Sequence, residues 1–137
     1  MIVVDTNVLS ELMRPVPSAQ VVAWLRTNAA KIAIPSVVIG ELRYGVARLP
    51  AGKRKDSLTA ALDALIERFS GSLIAYDVLA ANACGEVLAK AEAAGRPMNL
   101  ADAQIAACAQ VARAALATRN VADFATTGLK LIDPWTP

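Results

Sequence analysis

Three acidic side chains stand in this sequence where the surrounding residues are apolar. The first, Asp5, directly follows the apolar run Ile2–Val4, at the end of a predicted strand. In an open parallel sheet, ligands bind beyond the carboxyl ends of the strands, near the point where the strand order reverses. Asp5 is therefore a candidate catalytic or metal-binding residue. The alternative is structural, since Asp is also a favoured cap for a helix that begins at Thr6 or Asn7.

The second carboxylate, Glu41, lies on a predicted helix that begins after a Ser36 cap. Residues one turn away from Glu41 are mostly apolar, so the pattern predicts that this carboxylate is buried. Burial of a carboxylate costs several kcal/mol unless it is paired or bound to a cation. A structural ion pair with Arg43 or Arg48 is the alternative to a functional role.

The third carboxylate, Asp102, falls at the third position of a predicted helix that is capped by Asn99. A carboxylate there also complements the helix dipole, which is the structural explanation. However, Ile105 and Ala106 lie one turn further on, so the side chain leans toward the core side of its helix.

Further oxygen ligands occur in ATRNVADF, directly after the apolar run 115–117. The Thr118 hydroxyl is able to hold a metal-bound water, and Asn120 offers a neutral carbonyl oxygen. Asp123 is either a ligand or a surface turn residue, and the turn is favoured because Thr118 and Asn120 lie closer to the strand end. Thr6 and Asn7 are expected to orient Asp5 or its waters through hydrogen bonds.

The chain contains no histidine, which excludes imidazole zinc sites, Ser-His triads and His-based acid–base pairs. Any hydrolysis must therefore rest on carboxylates. Oxygen-only ligands suit Mg²⁺, with Mn²⁺ as a plausible substitute, and such an ion activates water and binds substrate phosphates. The sequence predicts a hard-cation site built by Asp5, Glu41 and Asp102.

The elements that must position these residues alternate along the chain. Short, uniformly apolar runs predict strands at 2–4, 32–34, 73–76, 115–117 and 131–132, and helical spacing predicts helices at 19–29, 37–48, 57–69, 78–94 and 100–113. This alternation predicts an α/β fold, with a central parallel sheet of four to five short strands covered by helices on both faces. Residues 1–137 are expected to form a single domain.

The amino-acid composition limits which partners and which cellular environment are expected for the protein. With 55% hydrophobic residues and a mean hydropathy of +0.42, we expect an oligomer or a tightly bound partner. No apolar run reaches the roughly 20 residues of a membrane-spanning helix, so a cytoplasmic protein is expected. Cys84 and Cys108 are interpreted as core thiols, and Trp24 and Trp135 as core or interface residues.

The net charge of +2 does not by itself indicate nucleic-acid binding. Four cations are nevertheless candidates for contacts with RNA phosphates, and each has a solvent-exposed loop or helix end as its alternative. They are Arg14 and the basic run Lys53, Arg54 and Lys55, which is expected to lie in an exposed loop after Pro50-Ala51-Gly52.

Four segments, in order, resemble the PIN-domain ribonucleases, in particular the VapC-like toxins of type II toxin–antitoxin pairs. They are IVVDTNVLSEL, IPSVVIGELRYGV, NLADAQIAACA and ATRNVADF, and the continuation after DTN and the closing DPW are similar to the FitB branch. The resemblance covers nearly the whole chain. It implies that Asp5, Glu41 and Asp102 bind the metal. The family often has a fourth acid where this chain has Asn120, with Asp123 three residues later.

The resemblance further implies a three-layer α/β/α fold, a homodimer and Mg²⁺-dependent RNA cleavage. It also implies inhibition by a small antitoxin, which commonly supplies DNA binding for repression. The leading hypothesis is thus a toxin that hydrolyses RNA phosphodiesters through a metal-activated water. One alternative is a catalytically weak or inactive module that binds an antitoxin within a DNA-bound complex. Aspartyl-phosphate chemistry at Asp5 is disfavoured, because no second carboxylate follows two residues on and no strand-end lysine is evident.

Overall fold

Five parallel strands form one sheet at the centre of the molecule. The structure is a computed structural model that describes all 137 residues. Its strands are Ile2–Val4 (β1), Ile32–Pro35 (β2), Leu73–Ile74 (β3), Ala115–Ala117 (β4) and Leu131–Ile132 (β5), in the order β3-β2-β1-β4-β5. Every predicted strand is present. The third is shorter than predicted, ending at Ile74 instead of at residue 76.

Six α-helices flank this sheet, which confirms the predicted α/β arrangement. They are Thr6–Glu11 (α1), Ala19–Asn28 (α2), Ser36–Ala47 (α3), Lys53–Arg68 (α4), Val78–Ala93 (α5) and Leu100–Ala112 (α6). Short 3-10 turns add Ala29–Lys31, Ser70–Ser72 and Val121–Phe124. None of the helices has the length and apolar character needed to span a bilayer.

Two predicted helix starts are wrong. Helix α4 begins at Lys53, so the basic run Lys53–Lys55 forms its first turn and is not a loop. The turn closes because the Asp56 N–H donates to the Gly52 carbonyl, 3.1 Å away. Ser36 is the first residue of α3 and not its cap, since its hydroxyl accepts the Tyr76 N–H at 3.0 Å.

The core lies between the central strands and the inner faces of the helices. All residues of β1 and β2 are buried, as expected for parallel strands covered on both faces. Helix α6 contributes a dense row of small side chains that packs against α5. Cys84 and Cys108 are buried free thiols, as predicted, and burial raises the pKa of Cys108 to about 11, which keeps it protonated.

The order of the strands defines one reversal point. The chain runs from β1 outward to β2 and β3, and then crosses through α5 and α6 to β4 on the other side of β1. The pairing of β1 with β4 continues past their last residues, because the Asp5 N–H donates to the Ala117 carbonyl at 2.8 Å. Asp5 and Thr118 therefore follow adjacent central strands where ligands of such sheets bind.

Candidate metal-binding site at the ends of the central strands

Asp5 is fixed by two hydrogen bonds at the end of β1. Its side chain is only 5% exposed. Oδ1 accepts the Thr6 N–H at 2.7 Å, which caps α1, and Oδ2 accepts the Thr118 hydroxyl at 2.7 Å. Asp5 thus caps α1 and also belongs to the candidate site. The two hydrogen bonds hold its carboxylate in one orientation.

Thr118 is fully buried at the end of β4, and its hydroxyl is engaged on both sides. It donates to Asp5 and accepts the Asn120 N–H at 3.1 Å. The structure therefore gives this hydroxyl a different task from the expected one of holding a water. It orients the Asp5 carboxylate.

Glu41 is exposed, so the prediction that it is buried is wrong. The buried face of α3 consists of Val38, Leu42 and Val46, and Glu41 lies beside that face. Its Oε1 accepts the Thr6 hydroxyl at 2.6 Å, which brings this carboxylate toward Asp5.

The predicted alternative for Glu41, a structural ion pair, is also absent. Arg43 pairs with Asp63, and the Arg48 guanidinium lies over the Tyr44 ring at 5.7 Å from its centroid. Neither arginine contacts Glu41. Glu41 is thus an anion that no protein cation neutralises.

Asp102 stands in the first turn of α6, as predicted. The Asn99 side chain caps the helix by accepting the Asp102 N–H at 2.8 Å, and its Nδ2 donates to Asp102 Oδ2 at 3.1 Å. The capping interaction and the carboxylate's orientation therefore depend on one asparagine. The half-buried Asp102 side chain lines a cavity of about 470 Å³ together with Asp123.

Asp123 lies in the 3-10 turn Val121–Phe124 and is exposed, and its N–H donates to the Asn120 carbonyl at 2.9 Å. The sequence favoured the interpretation of Asp123 as a turn residue over that as a ligand. The structure shows that Asp123 lies in a turn and also near Asp5 and Asp102. The Asn120 side chain is exposed and makes no hydrogen bond within the protein.

The causes of the pKa shifts show that these carboxylates lie near one another. Burial is the main cause that raises the pKa of Asp5, against the hydrogen bonds from Thr118 and Thr6, and the charges of Glu41 and Asp123 raise it further. The pKa of Asp102 rises to about 6, first through burial and then through repulsion by Asp5, Asp123 and Glu41, against the hydrogen bond from Asn99. The charged forms of Asp5 and Asp102 are thus destabilised by burial and by the neighbouring acids, and a cation would relieve that repulsion.

The donor set fits a hard divalent cation. Asp5, Glu41, Asp102 and Asp123 supply only carboxylate oxygens, which Mg²⁺ and Mn²⁺ prefer. As they stand, no three acidic side chains converge closely enough to form a direct coordination shell. Mg²⁺ commonly keeps several waters and needs few protein ligands, so this looser arrangement suits it.

The cations singled out in the sequence have different surroundings. Arg14 pairs with Glu11 at 3.1 Å, and the Lys55 ammonium donates to the Ala47 carbonyl at 2.9 Å. Arg54 lines a groove that also contains Glu41, whereas Lys53 is exposed at the start of α4.

Two features near the site were not singled out from the sequence. Glu11 is 3% exposed, and its i, i+3 spacing to Arg14 was the available signal. The Arg119 guanidinium stacks on Trp135, 4.9 Å from the ring centroid, and nothing local in the sequence signals this contact between separate segments.

The chain is similar to known proteins over nearly its whole length. The model of the PIN domain family matches residues 2–128. The plasmid stability protein StbB of Pseudomonas syringae pv. tomato is 39% identical over 98% of this chain and 99% of its own length. The VapC ribonuclease Y4jK of Sinorhizobium fredii is 34% identical over 100% of this chain and 99% of its own length. The toxin FitB of Neisseria gonorrhoeae is 34% identical, covering 98% and 99%.

Solved structures give the same result. The crystal structure of FitAcB from Neisseria gonorrhoeae superposes with a TM-score of 0.93 at 33% identity, covering 100% of both chains. The structure of FitAB bound to an IR36 DNA fragment has a TM-score of 0.92 at 32% identity, covering 98% of this chain and 96% of the other.

Proposed function

This chain belongs to the PIN-domain family, and on that premise we propose that it is a magnesium-dependent endoribonuclease that acts as the toxin of a type II toxin–antitoxin pair. One observation carries the proposal. Four carboxylates from separate segments lie near the reversal point of the sheet, where neighbouring negative charges add to burial in raising the pKa values of Asp5 and Asp102, and none of the four forms an ion pair with a protein cation. Such an arrangement is costly for stability alone.

The residues of the site have distinct tasks in this proposal. Asp5, Glu41 and Asp102 hold the metal, and Asp123 adds negative charge beside Asp102. Thr118 and Thr6 fix Asp5, Thr6 also fixes Glu41, and Asn99 fixes Asp102. When bound, the cation lowers the pKa of a coordinated water and offsets the charge that develops on phosphorus.

The first prediction concerns cleavage of a single-stranded RNA in Mg²⁺ and in EDTA. We expect cleavage only with Mg²⁺, products with 5′-phosphate and 3′-hydroxyl ends, and a loss of about 100-fold or more in Asp5→Asn. Asp56→Asn, an exposed carboxylate in the first turn of α4, is the matched control and should cleave normally.

Three outcomes would contradict the proposal. They are cleavage in EDTA, equal cleavage by Asp5→Asn, and 2′,3′-cyclic phosphate ends, which require the 2′-hydroxyl as nucleophile. A single deoxyribose at the cleaved position should therefore be tolerated. Failure to bind millimolar Mg²⁺ together with absence of cleavage would favour the inactive antitoxin-binding module.

The antitoxin is proposed to bind beside the acids. A groove of about 430 Å³ between α1, α3 and α4 is lined by apolar side chains such as Met13, Leu49 and Leu58 and by polar ones that include Thr6 and Glu41. An apolar segment of an antitoxin in this groove would place its continuing chain over the acids. DNA binding then comes through the antitoxin, and the relatives solved as FitAB with DNA support this assembly. The toxin is also proposed to form a homodimer in the cytoplasm.

A further inference from the structure

A second group of side chains lies next to the acidic site and has no part in the proposed metal chemistry. It surrounds a cavity of about 270 Å³ between α1, the segment after β4 and the C-terminal segment. The lining residues are Asn7, Ser10, Glu11, Arg14, Arg119 and Trp135. We propose that this cavity is a subsite for a backbone phosphate of the RNA that flanks the cleaved one, with the Arg14 and Arg119 guanidiniums as its ligands. The inference rests on the proposed ribonuclease function.

Arg14 is held at this cavity by a buried partner. The Glu11 side chain is 3% exposed and that of Arg14 is 63% exposed. Nη1 of Arg14 makes both contacts, at 3.1 Å to Oε1 and 3.3 Å to Oε2 of Glu11. The pair neutralises the buried carboxylate and leaves Nε and Nη2 of Arg14 without hydrogen bonds in the protein, so these donors are free for a phosphate.

Arg119 is held by stacking. Its guanidinium makes no hydrogen bond within the protein and lies over the Trp135 ring. The backbone N–H of Trp135 donates to Asp133 Oδ1 at 2.9 Å, which holds the chain here, and the half-buried indole packs against the core, so the ring is a fixed platform. Stacking uses the face of a guanidinium and leaves its N–H edge available for an anion.

The cavity is tied directly to the acidic site. Asn7, which lines the cavity, follows Asp5 by two residues. Its Oδ1 accepts the backbone N–H of Arg119 at 3.4 Å. Arg119 in turn follows Thr118, which donates to Asp5. A strand that places one phosphate at the acids therefore passes the two guanidiniums within a short distance.

Three other cations near the acids are engaged by groups of the protein. Arg43 pairs with Asp63, Lys55 donates to the Ala47 carbonyl, and Arg96 donates to the Ala122 carbonyl at 2.9 Å. The pair at this cavity combines fixed positions with free donors, whereas Arg54, which lines the groove with Glu41, has no hydrogen bond, ion pair or stacking contact that fixes its guanidinium. Since the acids repel an RNA strand, this positive flank supplies the attraction that compensates for them.

The test measures binding of a short single-stranded RNA in EDTA by fluorescence anisotropy, from about 50 to about 200 mM KCl, so that it is independent of cleavage. Arg119→Gln should weaken binding roughly threefold to tenfold. Arg14→Gln is combined with Glu11→Gln, which leaves no buried carboxylate unpaired and keeps the net charge, and should weaken binding similarly. The variant with all three changes should lower the slope of log K against log[salt] by about 0.7.

Three further variants, at two positions, separate this subsite from general charge effects. Arg68→Gln removes another stacked guanidinium, 5.6 Å from the Phe69 centroid at the far end of α4, and should not change binding. Trp135→Ala should weaken binding as Arg119→Gln does, whereas Trp135→Phe should restore most of it, because a ring then remains under Arg119.

Unchanged affinity and slope in the Arg119 and Arg14 variants would overturn the inference, as would an equal loss in Arg68→Gln. Loss of antitoxin binding with unchanged RNA binding would also overturn it and would assign the cavity to a protein ligand. Absence of Mg²⁺-dependent cleavage with the expected metal-free binding would instead contradict only the ribonuclease function.

Discussion

Asp102 carries a charge that the folded protein alone does little to stabilise. Its pKa of about 6 lies above the ordinary value of 3.8, so the folded state binds a proton more tightly than the unfolded state. The contribution of this group to the free energy of unfolding is therefore present at pH 4 and lost as the pH rises through about 6. A cation that replaces the proton restores it.

The second prediction follows from this loss of stability with rising pH. Mg²⁺ should raise the melting temperature more at pH 7.5 than at pH 5, because protons compete for the same carboxylates at the lower pH. Asp102→Asn without metal should be more stable than the parent at pH 7.5, by on the order of 1 kcal/mol, and respond weakly to Mg²⁺. Thermal denaturation measures both effects, with Asp56→Asn as control. A metal effect that is equal at the two pH values would contradict this prediction.

The third prediction concerns Thr118, which in the proposed site would act on the metal only through its hydrogen bond to Asp5. Thr118→Val keeps the shape of the side chain but removes the hydrogen bond to Oδ2, so the Mg²⁺ concentration for half-maximal cleavage should rise about 10-fold to 100-fold. Thr118→Ser retains the hydroxyl and should recover most of the activity. If the valine variant needs no more Mg²⁺ than the parent, the orienting role assigned to Thr118 is wrong.

Two helix ends form the same motif with different residues. After α5, the Arg96 N–H donates to the Ala91 carbonyl and Gly95 has φ of +71°. After α6, the Ala114 N–H donates to the Ala109 carbonyl and Arg113 has φ of +53°. Both are Schellman ends, in which glycine is favoured at the left-handed position because a Cβ is strained there.

The fourth prediction exploits this pair of helix ends. Arg113→Gly should raise the free energy of unfolding by roughly 0.5–1 kcal/mol, whereas Gly95→Ala should lower it by about 1 kcal/mol. No atom lies within 4 Å of a Cβ built at Gly95, so the backbone alone accounts for that cost. Denaturant unfolding measures both, and Arg113→Ala should give no stabilisation. Equal stability of the glycine and alanine variants at position 113 would exclude backbone strain as the cause.

Elements whose residues form one clear pattern, such as a short uniformly apolar run, could be predicted from the sequence. The uniformly apolar strands β1, β4 and β5 have the predicted bounds, because each is a short apolar run that is followed directly by a polar residue. The short helix α1 was visible only as a cap at Asp5, because six residues contain too few turns to show a periodicity. The start of α4 was misplaced because Lys53–Lys55 has the composition of a solvated loop.

The site could be predicted as a set of residues but not in its detail. Glu41 directly precedes the buried Leu42, so it lies about 100° around the helix axis, at the margin of the apolar face, and its neighbours gave a false impression of burial. The Thr118–Asp5 and Arg119–Trp135 contacts join segments far apart in the chain. Such contacts depend on strand order and on the path of the C-terminal segment, which local patterns do not contain.

At the scale of the whole molecule, strand order places the candidate site at the carboxyl ends of the central strands, and apolar surface is exposed elsewhere. An exposed apolar patch, here called the α5–α6 patch, borders a cavity of about 240 Å³ that includes Ile74 and Ala112. Met1 and Val111 line this cavity, and the patch is completed by the exposed side chains of Leu73, Val78 and Leu79, which are neighbours in the chain of its lining residues Ile74, Asp77 and Ala80. Exposed apolar clusters of this kind mark protein interfaces, and a second copy of the chain is the proposed partner.

The fifth prediction places the homodimer interface at the α5–α6 patch. Val78→Glu puts a negative charge at the first position of α5, where the helix dipole stabilises it, so the monomer should remain folded. The charge in the interface should dissociate the dimer. Val16→Glu is the matched control, since Val16 is 85% exposed and Val78 84%. Sedimentation should show a monomer only for Val78→Glu. An unchanged dimer in that variant, or dissociation by Val16→Glu, would place the interface elsewhere.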